Sequence, residues 1–525
     1  MSSKNFEVCK IFLFLLNKRK IPRETLKIRP IQISLFIFLV LGALFGLMFL
    51  SQKGGVQKEQ TQDDGFSYEG VSLKYPTYTT FLGLEKDSSL TRQDILEVTE
   101  IVTPLEIETP EDNQIAEVQQ IKQLPDFSKI DTTRLVRIRY PDSNPDFANQ
   151  LRRKLSSKSC RILHYGDSQI EGDRITAYLR NRLQHMYGGS GPGFIPLLPV
   201  YRQISAIVEP SENWERYAFF DPTKKKFSHR KYGAYLSVSR FTEYQKKLPD
   251  SAVLDSLPII KASVTIGKSK KTYAKFRRFT DIGLHYGNCN VPIKISVYNE
   301  GELIQQDSLI PDGRYHQYKI RTLTTPTNLK IELEGKVSAD FYGLTLDGGS
   351  RVQIDNIAMR GASGTIFARA NATTYSRMVR QLKPKIVIMQ YGGNTMPYLK
   401  DSTDVDKYAN RIKTQVNWIR RRAKNANFIF IGPTDMCLPV NGKMETYPLL
   451  PYLNTKLMET CLSNDVAYWS MYDAMGGKGS MELWVEEKLT AKDYMHFTWK
   501  GTKIISELFF TALYLDLKEP EKNEV

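Results

Sequence analysis

Between positions 31 and 50 the chain runs twenty residues without a charge, apolar on every helical face. At 1.5 Å rise per residue this covers the roughly 30 Å of a bilayer core. The pattern predicts one N-terminal transmembrane helix. A cleaved signal peptide would carry a shorter apolar stretch, about 7 to 15 residues, ending in a small-residue site, and neither is present. From 51 to about 130 the chain is rich in Gln, Glu, Asp, Thr and Lys with weak periodicity, which reads as a tether with one strand near 69–76. A strand at 160–165 then meets a tight turn and a helix from about Glu171, whose Ile175, Leu179, Leu183 and Met186 share one face.

After position 200 the grain changes. Ile293, Ile295 and Val297 alternate with Lys294 and Ser296, and Leu329, Ile331 and Leu333 with Lys330 and Glu332, while Asn299 to Gly301 and Pro311 to Gly313 carry turn signals. This predicts a β-sandwich over 200–350. Helical periods return afterwards. Strands at 352–359, 385–390, 428–431 and 466–470 alternate with helices at 365–382, 405–423, 449–462 and from Trp499. Alternating β and α with short links requires a parallel sheet covered on both faces. The predicted layout is a basic tail (1–30), a membrane helix (31–50), a tether (51–130), the first part of an α/β domain (131–199), an inserted β-sandwich (200–350) and the second part of the α/β domain (351–518).

Composition changes this picture little. The 525 residues are 41% hydrophobic and 25% charged, which excludes disordered, collagen-like and disulfide mini-protein classes. Charge adds orientation. The first 30 residues hold eight Lys or Arg against Glu7 and Glu24, so the positive-inside rule places the N-terminus in the cytoplasm and everything after position 50 outside it, in the periplasm or another extracytoplasmic space. The net charge of +16 favours acidic partners. Nucleic acid is not expected among them, because cations interleave with aromatics only at 275–279. Five Cys form no CxxC or zinc spacing, so neither a redox nor a metal role is read, and pairing of Cys437 with Cys461 stays open. The Gly-rich stretch 187–194 lacks G-K-[ST] and contains Pro192, so it is read as a flexible loop near the sheet's carboxyl edge and not as a phosphate loop.

In open α/β sheets ligands sit beyond the carboxyl ends of the strands, which makes the residues just after each strand the ones to inspect. Gly166-Asp167-Ser168 follows the first, where the next helix's N-terminal amides are placed to stabilise an oxyanion. Arg360 to Thr365 follows the second, Tyr391-Gly392-Gly393-Asn394 the third, and Asp493-Tyr494-Met495-His496 precedes the last helix. Singly, Ser168 reads equally as a helix N-cap, Asn394 as a turn residue and His496 as a surface histidine. Jointly they supply what a serine nucleophile needs, an imidazole oriented by a carboxylate.

These four blocks in this order resemble the SGNH (GDSL) hydrolase family, a flavodoxin-like three-layer α/β fold, from about 158 to 514 apart from the insertion. The resemblance implies Ser168 as nucleophile, His496 as general base and Asp493 as its orienter, with the Ser168 amide, the Gly364 amide and the Asn394 side chain as oxyanion hole; Gly361 is a weaker claimant for the glycine role. Two positions depart from the pattern: Gln169 stands where the family name has Leu, and Thr395 stands where an Asp normally buttresses the third block. A β-module placed after the first block is similar to bacterial peptidoglycan O-acetylesterases, where that module resembles carbohydrate-binding domains. The implied activity is removal of O-acetyl groups from cell-wall or envelope polysaccharide through an acyl-serine, with no metal and no cofactor. The implied partners are an O-acetylated glycan substrate and the inner membrane through 31–50. Trp214, Tyr217 and Phe220 are candidates for stacking on sugar rings, with core packing as the alternative for each. Two other readings stay open: an O-acetyltransferase using the same triad beside a membrane-bound O-acyltransferase, and a non-catalytic glycan-binding envelope anchor.

Overall fold

Cys160 and Ile162 point to one side of their strand and Leu163 and Tyr165 to the other, and both sides are buried. A run apolar on both faces belongs at the centre of a parallel sheet. In the computed structural model, which describes residues 65–68, 71–74, 135–199, 203–223, 226–248 and 250–518, Cys160–Gly166 lies between Val352–Ala358 and Pro384–Gln390, followed by Asn427–Ile431 and Ala467–Trp469. All four pairings are parallel. Numbered along the chain the spatial order is 2-1-3-4-5, the flavodoxin-like order. Helices Phe147–Leu155, Arg174–Tyr187 and Trp499–Leu517 cover one face, and Ala372–Leu382, Ser402–Arg420 and Leu450–Leu462 the other.

The excursion between the first two sheet strands is a β-sandwich. Glu302–Leu309, Ile293–Asn299, Leu329–Gly335, Ile260–Gly267 and Ile207–Pro210 form one antiparallel sheet, and His316–Arg321, Asp281–Gly287, Asp340–Asp347, Ser237–Arg240 and Glu215–Ala218 the other. Alternation drives it: Leu329, Ile331 and Leu333 are buried in the sandwich core while Lys330, Glu332 and Glu334 between them are not. The insert begins before 200, because Gly193–Ile195 pairs antiparallel with Leu344 to Leu346 of the last sandwich strand. Sandwich and sheet are joined by buried charge. Arg161 of the first sheet strand binds Asp355 of the second at 2.5 Å and also Asp347 of the sandwich, and the Tyr235 hydroxyl donates to Asp355 at 3.2 Å.

The Gly-rich stretch is not at the carboxyl edge, as the sequence led us to expect. It is strapped along the amino end of Val352–Ala358: the Val352 amide donates to the Gly188 carbonyl at 3.2 Å, Gly348 to Ser190 at 2.9 Å, and Gly191 to Lys275 at 2.9 Å. Gly191 has φ +87°, and a Cβ there would lie 2.4 Å from the Leu346 carbonyl oxygen, so the glycines allow close backbone approach. The helix expected at 365–382 is shorter, a 3-10 turn Phe367–Arg369 followed by Ala372–Leu382, because the Asn371 side chain caps the latter by accepting from the Thr374 amide.

Within the tether segment, Gly65–Tyr68 and Val71–Lys74 form an antiparallel hairpin, in a unit of its own spanning Met1–Ser88. The tail 1–30, the membrane segment 31–50 and the rest of the tether lie outside the described residues. Among the described residues no helix is long and apolar enough to cross a membrane. Cys160, Cys289, Cys437 and Cys461 are free thiols, which settles the Cys437–Cys461 question against pairing.

Candidate active site

The carboxyl ends of the first and third sheet strands, neighbours in the sheet, are where the flavodoxin-like order reverses direction. Ser168 follows the first and Asn394 the third. Ser168 sits in a turn ahead of the helix, which starts three residues later than the expected Glu171. It opens a 3-10 turn, Ser168–Asp173, that unwinds at Glu171 and Gly172, and the α-helix begins only at Arg174. The Asp167 side chain caps this turn by accepting from the Gln169 amide at 2.9 Å.

Ser168 Oγ lies 2.7 Å from His496 Nε2, and His496 Nδ1 lies 2.7 Å from Asp493 Oδ2. The other Asp493 oxygen accepts the amides of Met495 and His496, each at 3.0 Å. Burial pushes the Asp493 carboxyl up, but the His496 amide and imidazole outweigh it and hold the group below the usual carboxylate range. The carboxylate therefore stays ionised beside the ring it orients. The loop carrying these residues is closed on itself, with Ala491 donating to the His496 carbonyl at 2.7 Å and Thr498 to Leu489 at 2.9 Å. Its exit is tight: a Cβ on Gly501 would meet the Leu489 carbonyl oxygen at 1.9 Å, and the Thr498 side chain caps the last helix at Gly501.

Three residues that the sequence analysis gave no role hold this arrangement. The Arg174 guanidinium donates to the Ser168 carbonyl at 2.6 Å and to the Phe497 carbonyl at 3.1 Å, fastening the serine turn to the histidine loop. Gln169 Nε2 donates to the Met495 carbonyl at 2.5 Å, a second such tie. Asp167 accepts from Asn394 Nδ2 at 3.0 Å. This carboxylate does for the third block what Thr395 cannot. Burial pushes Asp167 up to about 6, against the opposing pull of the Gln169 amide, His496 and Asn394.

The second Asn394 contact is to the Ala362 carbonyl, at 3.3 Å. A Cβ on Gly364 would strike the Tyr391 ring at 2.7 Å, and the neighbouring Ser363 carbonyl accepts from the Tyr408 hydroxyl at 2.8 Å. From this loop it is the Ala362 carbonyl that reaches Asn394. Ser168 and Asn394 share a cavity of about 20 Å³ with Tyr391, Pro433, Met436 and Met471 among its walls, room for one methyl- or water-sized group. The aromatic candidates fare differently. Trp214 is buried edge-on against Phe241 and Phe341 in the sandwich core, and Tyr217 is buried on Phe227, so neither presents a face to a sugar; Phe220 is only partly buried. Among the described residues no group of three His, Cys, Asp or Glu is arranged to hold a metal ion.

No family model and no curated protein matches the chain. A solved peptidoglycan O-acetylesterase does match in structure, with a TM-score of 0.55 and 20% identity over 72% of this chain and 98% of its own. The chain has the fold of that O-acetylesterase. A family two carbohydrate esterase from Clostridium thermocellum in complex with cellohexaose aligns over 49% of this chain and 94% of its own at 11% identity and a TM-score of 0.22. A GDSL-like lipase from Bacteroides ovatus aligns over 59% and 98% at 10% identity and a TM-score of 0.24. Those two superpositions are too loose to argue from. The likeness takes in almost the whole of the O-acetylesterase chain.

Proposed function

We propose that this SGNH chain is a serine esterase that removes O-acetyl groups from a peptidoglycan-like envelope glycan. The observation that carries the reading is the continuous relay from Ser168 Oγ through His496 to Asp493, two bonds of 2.7 Å, beside a cavity of about 20 Å³. In this reading His496 Nε2 takes the Ser168 proton as Oγ attacks the acetyl carbonyl, and the imidazolium is stabilised by Asp493. The Ser168 amide and Asn394 donate to the oxyanion; Asn394 does so by releasing its longer bond, to Ala362, while Asp167 keeps the side chain in place. His496 returns the proton to the departing sugar hydroxyl. Water then attacks the acetyl-serine with the same base, releasing acetate and restoring Ser168. A cavity of about 20 Å³ suits the methyl of an acetyl group.

The glycan assignment draws on the O-acetylesterase fold and on the membrane segment 31–50. With a basic tail before it, that segment would leave the catalytic part outside the cytoplasm, where such a polymer is found. Purified protein incubated with O-acetylated glycan should release free acetate, and Ser168→Ala should release none. Binding without release would make the chain a glycan anchor, and acetyl transfer to added glycan outrunning acetate release would make it a transferase. Protease added outside the cytoplasmic membrane should digest the catalytic part; protection of that part would overturn the topology.

A further inference from the structure

A second cavity, of about 40 Å³, opens beside the serine turn, with Glu171 of that turn and Ala358 of the parallel sheet on one side and Arg216, Phe220 and Tyr235 of the insert on the other; Arg360 stands at its rim. Glu171 belongs to the same 3-10 turn as Ser168, and its carboxylate feels the charge of His496. The cleft therefore adjoins the turn that carries the nucleophile.

Among the described residues its lining carries Arg216 and Arg360 against Glu171. Arg216 is drawn in from the sandwich strand Glu215–Ala218, with its guanidinium over the Phe220 ring at 5.6 Å. Its Nε donates to the Ser237 hydroxyl at 2.9 Å, and among the described residues no carboxylate lies within ion-pair distance of it. Burial lowers its hold on its proton, with Glu171 and Asp221 opposing only from a distance. Glu171, the one acid lining the cleft among the described residues, is 3.9 Å from Arg360. Arg216 is partly buried and spends its Nε on Ser237, which leaves the outer edge of the guanidinium as a fork that a carboxylate fits with two parallel bonds.

Resting on the esterase reading, we infer that this cleft is a subsite for a carboxylate carried by the glycan near the acetylated sugar, gripped by Arg216 with Arg360 beside it. The insert then acts as a reader of substrate charge as well as a wall of the site. The carboxylate has two chemical sources, a uronic acid ring or an acid attached through an ether to the sugar, and the same fork suits both.

The test uses Ser168→Ala protein, which cannot turn substrate over, titrated by calorimetry with four acetylated oligosaccharides: one uronate, one ether-linked acid, and the twin of each with its carboxyl reduced to the alcohol. At least one acid should bind about tenfold or more tighter than its twin, and the acid that does so identifies the source. Adding Arg216→Gln should erase the difference, with Arg216→Lys restoring only part of it. Equal affinity for every acid and its twin, or a preference that survives Arg216→Gln, overturns the inference. Should the Arg216 variants fail to melt cooperatively, Arg360→Gln decides, since it sits at the rim: a narrowed preference supports the subsite and an unchanged one refutes it. The esterase reading fails separately. Acetate release by the unmutated protein at equal kcat/KM from acid and twin would sink the subsite and leave the esterase standing; an acid preference in binding without acetate release would do the reverse.

Discussion

At the amino end of strand Val352–Ala358 the chain 188–193 is held backbone to backbone, with glycines where a side chain would strike a carbonyl. At the carboxyl end of the neighbouring strand, Cys160–Gly166, the Ser168 turn is held by side chains: Asn394 and His496 from distant parts of the sequence and, on its own carbonyl, Arg174 from the helix that follows. One edge is closed by shape and the other by exchangeable hydrogen bonds. The same contrast runs through the histidines. Burial pushes His164, inside the sheet, and His285, inside the sandwich, down to about 3, fixing both as neutral packing groups, whereas the ring of His496 sits on a loop with an acid at one nitrogen and a serine at the other. Chemistry is confined to the edge where side chains, not backbone, make the closure.

That comparison breaks if damage at the two edges has the same character. Ser168→Ala or His496→Ala should cost on the order of 10⁴-fold or more in turnover of a small acetyl ester while leaving the melting temperature nearly unchanged; full activity of purified Ser168→Ala would end the assignment. Asn394→Ala should cost on the order of 10² to 10³ in kcat, measured on the same ester, if its amide meets the oxyanion. Gly191→Val tests the other edge. It should lower unfolding free energy by about 4 kcal/mol in denaturant titrations, from backbone strain and overlap with Leu346, yet spare kcat per folded molecule. A kcat loss without a stability loss would mean that the strap takes part in the chemistry.

The smallest effect sharpens the comparison at Asp167. Its folded value of about 6 lies above its ordinary 3.8, so the folded protein holds this proton more tightly than the unfolded chain does. The group's contribution to stability is then complete below about pH 3.8, falls as pH rises towards 6, and is constant above. Asp167→Asn carries no such penalty and should gain on the unmutated protein across that window by up to about 3 kcal/mol, at 1.4 kcal/mol per pH unit. Denaturant titrations at pH 4 and pH 7 showing the same difference would remove the burial argument.

The sheet was legible because its strands are short apolar runs between amphipathic helices, and the sandwich because residues such as Leu329 to Leu333 alternate strictly. Ser168, Asp493 and His496 were legible because their blocks stand at strand ends. Arg174 was not: its partners are the Ser168 and Phe497 carbonyls, and a carbonyl leaves no trace in residue identity. Nor was the service of Asp167 to Asn394, a contact across 227 positions. Trp214 and Tyr217 show a third limit, since an aromatic on a short strand reads alike whether it faces core or solvent. The glycines of 188–193 announced close approach but not which end of the sheet they approach.

The insert's first strand, Gly193–Ile195, is the antiparallel neighbour of its last, Asp340–Asp347. The central sheet strand must otherwise wait for a partner almost two hundred residues further along, and closing a disordered loop of that length costs about 3 kcal/mol more than closing one of a few residues. A sandwich that folds first brings its own two ends together and so turns a distant pairing into a local one, delivering Val352–Ala358 to the side of Cys160–Gly166 as the chain lengthens. Until it does, the central strand has both hydrogen-bonding edges bare, the condition in which strands pair with the wrong neighbour. The sandwich is in this sense a folding clamp for the sheet, and lesions deep in its core should show first as aggregation during synthesis.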